Sequence, residues 1–375
     1  MKIGFDAKRA FNNFTGLGNY SRFVLNALAQ SYPQHQYFLF TPEVKNNIDT
    51  SFLINNPVFE IIEPQGLYQW LPKSVWRTYA QATDAKKHRI ELYHGLSNEL
   101  PRNLSASIKK VVTIHDLIFL RYPDYYKHID RKIYKQKTLH ACKEANAIVA
   151  ISQQTADDLV NLLGIAREKI KVIYQGMHPL FHIKYDAAKI EEVKTKYHLP
   201  SNYLLNVGTI ETRKNAALIV HAMQELKKDV HLVLIGRRTA YASELEVLAA
   251  KLNLTERLHI RDNINFTDLP LLYQGAQIFI YPSRFEGFGI PIIEAMASGI
   301  PVVAASGSCL AEAGGEACSY IAPDDAVALA AAVDAIISDQ SKTNAMVIAG
   351  REQIKKFTPE KIAAELMQLY ASLLA

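Results

Sequence analysis

Apolar residues in this chain come in short, β-branched runs separated by stretches of helix length. Such runs fall at 2–6, 37–40, 60–62, 92–94, 110–114, 147–151 and 171–173. The alternation predicts βαβ units and parallel sheets. Helical spacing appears between them. After Gly18 the apolar positions are Tyr20, Phe23, Val24, Leu25 and Leu28, and 153–163 reads as a helix capped by Ser152 and stopped by Gly164. From Met177 to Pro200 the strand pattern lapses. Pro179 interrupts it, a charged helical stretch follows at 186–197, and the linker is expected at 181–200. A second series of strands then runs 203–207, 231–235, 258–261, 278–281 and 301–304. The division predicted is 1–180, a linker, and 201–358, with the last helix, 359–375, completing the first domain.

Composition narrows the class. A chain of 375 residues, 49% apolar, has material for two cores. The formal charge of +5 suits an enzyme that attracts anionic substrates and falls short of a nucleic-acid binder's footprint. Cys142, Cys309 and Cys318 have no metal-ligand spacing and too few partners for a disulfide framework, so a reduced compartment is expected. Residues 1–6 lead into a strand rather than a signal peptide. The longest apolar stretch, 326–337, contains Asp334 and is far short of the ~20 residues of a membrane span. The expectation is a cytoplasmic protein that does not cross a membrane.

The most informative stretch is Ser283-Arg284-Phe285-Glu286-Gly287-Phe288-Gly289-Ile290-Pro291-Ile292-Ile293-Glu294. A strand ending near Tyr281 passes through a glycine-bearing loop into a short helix, with Pro291 in its first turn and Gly299 at its stop. The free N–H groups of Gly287 to Ile290 make an anion site. Glu286 and Glu294 are too far apart to share a proton. Each suits paired hydrogen bonds from hydroxyls, as on a hexose and a ribose. Taken without its glycines, such a pair would read as a loop acid and a helix-start acid.

Three further clusters sit at predicted strand-to-helix junctions, where doubly wound sheets bind ligands. Gly208, Thr209, Arg213 and Lys214 follow the strand at 203–207; the guanidinium fork and the ammonium suit a diphosphate. Cations at a helix start oppose the dipole, which weakens the plain reading of two solvated bases. Gly16 and Gly18 form a Gly-x-Gly at the first junction, without the third glycine of a dinucleotide fingerprint or the lysine of a P-loop. His115 and Asp116 end an apolar strand, a place for a histidine that bonds a sugar hydroxyl or the leaving phosphate. No Asp-x-Asp, Gly-x-Ser-x-Gly or zinc pattern occurs. Diphosphate binding without a metal is therefore expected, with no cofactor.

These clusters, in this order, resemble the family-4 retaining glycosyltransferases of GT-B fold, over nearly the whole chain and most strongly at 203–325. The resemblance implies an α/β fold of two Rossmann-like domains facing each other across a cleft. It implies that Glu294 binds the donor ribose and that Glu286, with the 287–290 backbone, holds the sugar and nearby phosphate. Arg213 and Lys214 would neutralise the leaving diphosphate, the Gly16–Gly18 loop would close over it, and His115 would touch the sugar. Where many members carry an arginine after the glycine of the Val-Gly strand end, this chain has Thr209. Its Thr-Arg-Lys-Asn variant resembles bacterial mannosyltransferases of polysaccharide assembly, and Arg213 is the candidate replacement. The implied reaction is retaining transfer of a hexose, mannose from GDP-mannose being favoured, to a glycan or lipid-linked acceptor. A GT-B sugar-nucleotide epimerase and a catalytically silent nucleotide-sugar-binding subunit are the alternatives. Trp70 and Trp76, Asp116, and Arg131 and Lys132 among tyrosines, mark candidate contacts with the acceptor or with an anionic membrane at the inner face of the plasma membrane. A solvated helix face is the competing reading there.

Overall fold

The computed structural model describes residues 1–47, 50–70, 72–226 and 229–375. They form two units, one of Met1–Gly176 with Phe357–Ala375 and one of Met177–Lys356. The first unit carries seven strands: β1 (Lys2–Asp6), β2 (Gln36–Phe40), β3 (Phe59–Ile62), β4 (Leu92–Gly95), β5 (Lys109–Ile114), β6 (Ala147–Ala150) and β7 (Ile170–Val172). All pair in parallel in the order β3-β2-β1-β4-β5-β6-β7. The direction of winding reverses between β1 and β4, which opens a crevice at their carboxyl ends. Val112, Ile114, Ile148 and Ala150 pack with Ala156 and Leu159 of the helix Gln153–Leu163. That helix is capped by Ser152, which accepts from Thr155, and ends at Gly164 with φ 65°.

The helix Pro359–Leu374 packs on the helix Gly16–Ser31 of the same unit. Its Tyr370 is fully buried, with its hydroxyl 2.6 Å from His94 Nδ1.

The second unit repeats the plan with β8 (Tyr203–Val207), β9 (His231–Ile235), β10 (Leu258–Arg261), β11 (Ile278–Tyr281), β12 (Val302–Ala305) and β13 (Cys318–Ile321). The order is β10-β9-β8-β11-β12-β13, all parallel, with its reversal between β8 and β11. Strand β13 is absent from the sequence reading.

The stretch 181–200, expected as a linker, belongs to this second unit. Its helix Ala187–Lys196, capped by Asp186, packs on the helix Leu269–Gln274. Lys194 is buried and donates to Glu191 and to the Ser201 carbonyl, while Arg261 donates to the carbonyls of Tyr197 and His198. Those bonds fix the segment as part of the fold. No helix among the described residues is long and apolar enough to cross a membrane.

Candidate active site

The carboxyl ends of β8 and β11 bring together Arg213, Lys214 and Glu286. After Gly208 the chain passes into a tight turn, Thr212–Lys214, and Asn215 takes a left-handed conformation with φ 59°. The Asn215 amide donates to the carbonyls of Pro282 and Pro323, which clamps this turn beside the β11 loop. Glu286 then receives four groups. Arg213 Nη1 lies 2.9 Å from Oε2, and Lys214 Nζ 2.6 Å from Oε1. Ser283 and Tyr281 donate their hydroxyls to Oε1 at 2.6 and 3.1 Å. Burial alone would raise this carboxyl, but Lys214 and Arg213 hold it down at about 2. Glu286 is ionised across the working range of pH.

Donor counting shows what remains for a ligand. Lys214 spends one N–H on Glu286 and one on the Tyr281 hydroxyl, leaving a third. Arg213 spends Nη1 on Glu286 and the Phe285 carbonyl and Nη2 on Glu211, leaving its Nε–H and part of Nη2. The two cations are thus held in place by carboxylates rather than waiting unpaired. Thr209 stands beside Gly208 and its hydroxyl joins none of these bonds.

The loop that presents Glu286 is fixed from below. Cys309, buried, shares its S–H between the carbonyls of Glu286 and Phe288 at 3.0 Å each. Phe285 and Phe288 are buried. The positive φ falls at Gly289 (148°), the residue before the helix Ile290–Ala297, where a Cβ would come within 3.1 Å of Ala313. Pro291 occupies the first turn of that helix and Gly299, with φ 77°, follows it. One turn in, Glu294 is buried and accepts from the Tyr273 hydroxyl at 3.1 Å. Burial raises its carboxyl to about 7, with the tyrosine opposing.

Sequence reading missed Tyr281, Tyr273, Cys309 and Gly236. Tyr281 could have been found from its place at a strand end. Gly236 likewise stands at a strand end, whereas Tyr273 and Cys309 lie outside the motif and nothing local marks them.

In the first unit, His115 Nε2 lies 2.8 Å from the Leu96 carbonyl, and its backbone N–H donates to Asn98 at 2.9 Å. A carbonyl only accepts, so Nε2 carries the proton and Nδ1 is left as an acceptor. Burial lowers the ring to about 4, so it is neutral. Tyr20 packs edge-on against it at 4.7 Å and shares a hydrogen bond with Thr113, which in turn meets His94 Nε2 at 2.9 Å. Asp116 uses one oxygen to accept from the backbone N–H of Ile118.

Two expectations about this unit need correction. Gly16 and Gly18 are not in a loop but in the first turn of the helix Gly16–Ser31, because the Asn13 carboxamide accepts from Thr15 and Gly18 and starts the helix early. A Cβ at Gly18 would sit 1.7 Å from the Asn13 carbonyl oxygen, whereas one at Gly16 would meet nothing. Trp76 is not interfacial: it is fully buried and donates its indole N–H to Asp84 at 2.9 Å. Trp70 does stand in solvent, at 83% exposure, beside Leu67 at 84%; Leu71, between the tryptophans, lies outside the described residues. Lys132 is exposed on the helix His128–Glu144 with Ile129 and Ile133, while Arg131 is partly buried.

Two family profiles match the chain in succession. Glycosyltransferase Family 4 covers residues 14–179, with Gly16, Gly18 and His115. Glycosyl transferases group 1 covers residues 189–353, with Arg213, Lys214, Glu286 and Glu294. The chain is similar to O-antigen chain mannosyltransferase B of Escherichia coli, 28% identical over 388 residues that take in 99% of each chain. To O-antigen chain mannosyltransferase RfbU of Salmonella typhimurium it is 28% identical over 216 residues, 58% of this chain and 57% of that one. Among solved structures, Anabaena Alr3699/HepE in complex with UDP-glucose matches with a TM-score of 0.78 and 20% identity, over 99% of this chain and 100% of the other. WaaG, a glycosyltransferase involved in lipopolysaccharide biosynthesis, matches with a TM-score of 0.71 and 16% identity, over 98% and 99%. At such identities these structures speak for the fold.

Proposed function

Because the chain belongs to the family-4 glycosyltransferases, enzymes of GT-B fold, we propose that it transfers mannose from GDP-mannose, with retention, to a glycan or lipid-linked glycan in polysaccharide assembly. The observation that carries this reading is the ionised Glu286, held among Arg213, Lys214, Tyr281 and Ser283 where the second sheet reverses. Oε1 of this carboxylate is filled by three donors, whereas Oε2 takes only Arg213 and keeps room to accept from a sugar hydroxyl. The donors left on Arg213 and Lys214 meet the diphosphate, whose charge grows as the glycosidic bond breaks. They supply the positive charge that a metal ion would otherwise bring. The acceptor hydroxyl attacks from the face of the departing diphosphate, whose oxygen takes the proton. In the first unit, the neutral His115 keeps Nδ1 as an acceptor suited to a substrate hydroxyl. Mannose rests on the two O-antigen mannosyltransferases reported above, and the guanine base on the resemblance of the Thr209–Asn215 stretch to bacterial mannosyltransferases.

The test is nucleotide release from a panel of GDP-, UDP-, ADP- and dTDP-sugars, with EDTA present. Slow hydrolysis of GDP-mannose alone is expected. Turnover of another donor replaces the sugar assignment, and a requirement for divalent metal overturns the metal-free mechanism. Conversion of a donor to its epimer without any acceptor would favour an epimerase, and binding without reaction a silent subunit.

Glu294 gives the reading a pH signature. Ribose hydroxyls donate to a carboxylate, and the free enzyme holds this group protonated below about pH 7. Binding must then release a proton, so affinity falls as pH drops from 8 to 6, by up to about tenfold per unit. The same shift acts on folding. The unfolded carboxyl ionises from about pH 4.5, so Glu294 withdraws stability as pH climbs from there to about 7. Calorimetric GDP titrations of the wild type and of Glu294→Gln separate this slope from the titration of the diphosphate itself. Equal slopes in both would remove Glu294 from the ribose site.

Peripheral membrane contact is part of the proposal. Exposed Leu67 and Trp70 form an apolar tip, and the helix His128–Glu144 exposes Ile129, Lys132 and Ile133. Trp70→Ala is expected to weaken binding to anionic vesicles at low salt about tenfold, with folding unchanged. Undiminished co-sedimentation of the variant would move the contact elsewhere.

A further inference from the structure

The first unit gathers positive charge that the reading above leaves unused. Strand β1 ends at Asp6, and the chain turns at Ala7 into a short helix, Lys8–Asn12. This is the carboxyl edge of the sheet, at the reversal between β1 and β4. Lys8, Arg9 and Arg77 come together there.

Arg77 is matched. Its Nε and Nη2 lie 3.0 and 2.7 Å from Asp6 Oδ2, and its Nη1 2.6 Å from Glu99 Oε2. The second oxygen of Asp6 accepts from the backbone N–H of Lys8, and the second of Glu99 takes Lys137 at 3.3 Å. Both carboxylates are committed.

Lys8 and Arg9 are not matched. Among the described residues neither side chain has a hydrogen-bond or ion-pair partner, and Arg9 Nε is shut off from solvent with nothing to donate to. Both residues are only partly exposed. Lys8 is held below the ordinary lysine value, first by burial and then by repulsion from Arg77 and Arg9, with the charges of Asp6 and Glu99 opposing. A shielded donor without a partner is destabilising, and adjacent like charges add to that. An anion would offset both costs.

The next helix strengthens the point. Asn13, which starts the helix Gly16–Ser31, follows directly, and Gly18 packs so close that a Cβ there would lie 2.9 Å from the Arg9 carbonyl oxygen. The positive end of a 16-residue helix therefore abuts the same segment. A guanidinium fork and an ammonium are a donor set that phosphate prefers.

We propose that Lys8 and Arg9 form an anion subsite, built by the first unit's own residues, for a phosphate or diphosphate group of a substrate. The proposal rests on the glycosyltransferase reading. That group comes either from the nucleotide-sugar donor or from a lipid-linked acceptor. The chemistry of recognition is the same for both.

The test is calorimetric titration of the full-length protein with inorganic pyrophosphate at physiological salt, alone and saturated with GDP. Wild type is compared with Lys8→Gln/Arg9→Gln and, as a milder second variant, Arg9→Gln. Removing unmatched charge should leave the thermal midpoint unchanged or higher, so a lost signal is not lost fold. Expected is a drop in pyrophosphate affinity of about tenfold or more in the double variant. If GDP affinity falls in parallel, the subsite serves the donor. If GDP affinity holds, and GDP-saturated wild type still takes pyrophosphate while the GDP-saturated variant does not, it serves the acceptor. Equal pyrophosphate affinity in variant and wild type, with and without GDP, overturns the subsite. Wild type that fails to bind GDP, yet binds pyrophosphate through Lys8 and Arg9, keeps the subsite and counts against the donor reading instead.

Discussion

Glu286→Gln is expected to lower turnover about 10²–10³-fold and to destabilise the second unit by about 3–5 kcal/mol. The size follows from what the substitution strands. Glutamine keeps the shape and can still accept from Ser283 and Tyr281, but Arg213 and Lys214 lose the charge that both of them face. Arg213 retains Glu211, whereas Lys214 retains only the Tyr281 hydroxyl. Two cations then repel each other in a buried setting. The wild-type group is held at about 2, so its contribution is present above about pH 4.5 and lost as pH falls towards 2. Thermal unfolding at pH 7 should show the loss as a midpoint lowered by about 10 °C. Glu286→Gln/Lys214→Met separates the two roles: stability should return in part, and turnover should not. A single variant with normal unfolding and turnover within about twofold would show that Glu286 is not the counter-charge.

The residues of this cluster were legible in the sequence, and their pairing was not. Strand–helix alternation placed Arg213 and Lys214 after one strand and Glu286 after another. A doubly wound sheet carries both strand ends to one edge. That Glu286 neutralises the two cations depends on side chains about 70 positions apart, which no local pattern encodes. The sheets themselves read clearly because strands covered on both faces are continuous apolar runs. Strand β13, Cys-Ser-Tyr-Ile, lacks such a run and escaped.

The same limit explains the other misreadings. The helix Ala187–Lys196 is charged on most of its surface, so its sequence resembles a linker, but Ile190 and the buried Lys194 pack against their neighbours. Trp76 sits in a basic, aromatic segment, yet eight residues on, Asp84 offers its indole an acceptor. Two tryptophans six positions apart in sequence therefore have opposite fates. Only packing decides which of them faces water.

Gly236→Ala is expected to be the most damaging small substitution in the second unit, costing about 2–4 kcal/mol and at least about 10²-fold in turnover. Gly236 follows β9 with φ 152°, a conformation side chains rarely adopt. A Cβ there would lie 1.9 Å from the Gly208 carbonyl oxygen and 2.5 Å from its carbon, both backbone atoms that no rotamer can move aside. The strand ends around it are stitched together. Gly236 N–H donates to Arg261, Gly208 N–H to Ile235 and Ile210 N–H to Arg237. Relief must therefore come from displacing the Gly208 turn, and the turn Thr212–Lys214 follows four residues later. Arg213 and Lys214 then leave the positions in which Glu286 holds them, so a single methyl group reaches the site without touching it. Calorimetric GDP binding and thermal unfolding of Gly236→Ala measure both effects. Gly16→Ala, where a Cβ meets nothing within 4 Å, serves as the stability control. If Gly236→Ala unfolds like that control and binds GDP as wild type does, the Gly208 turn moves freely, and the cations owe their positions to Glu286 and Asn215 alone.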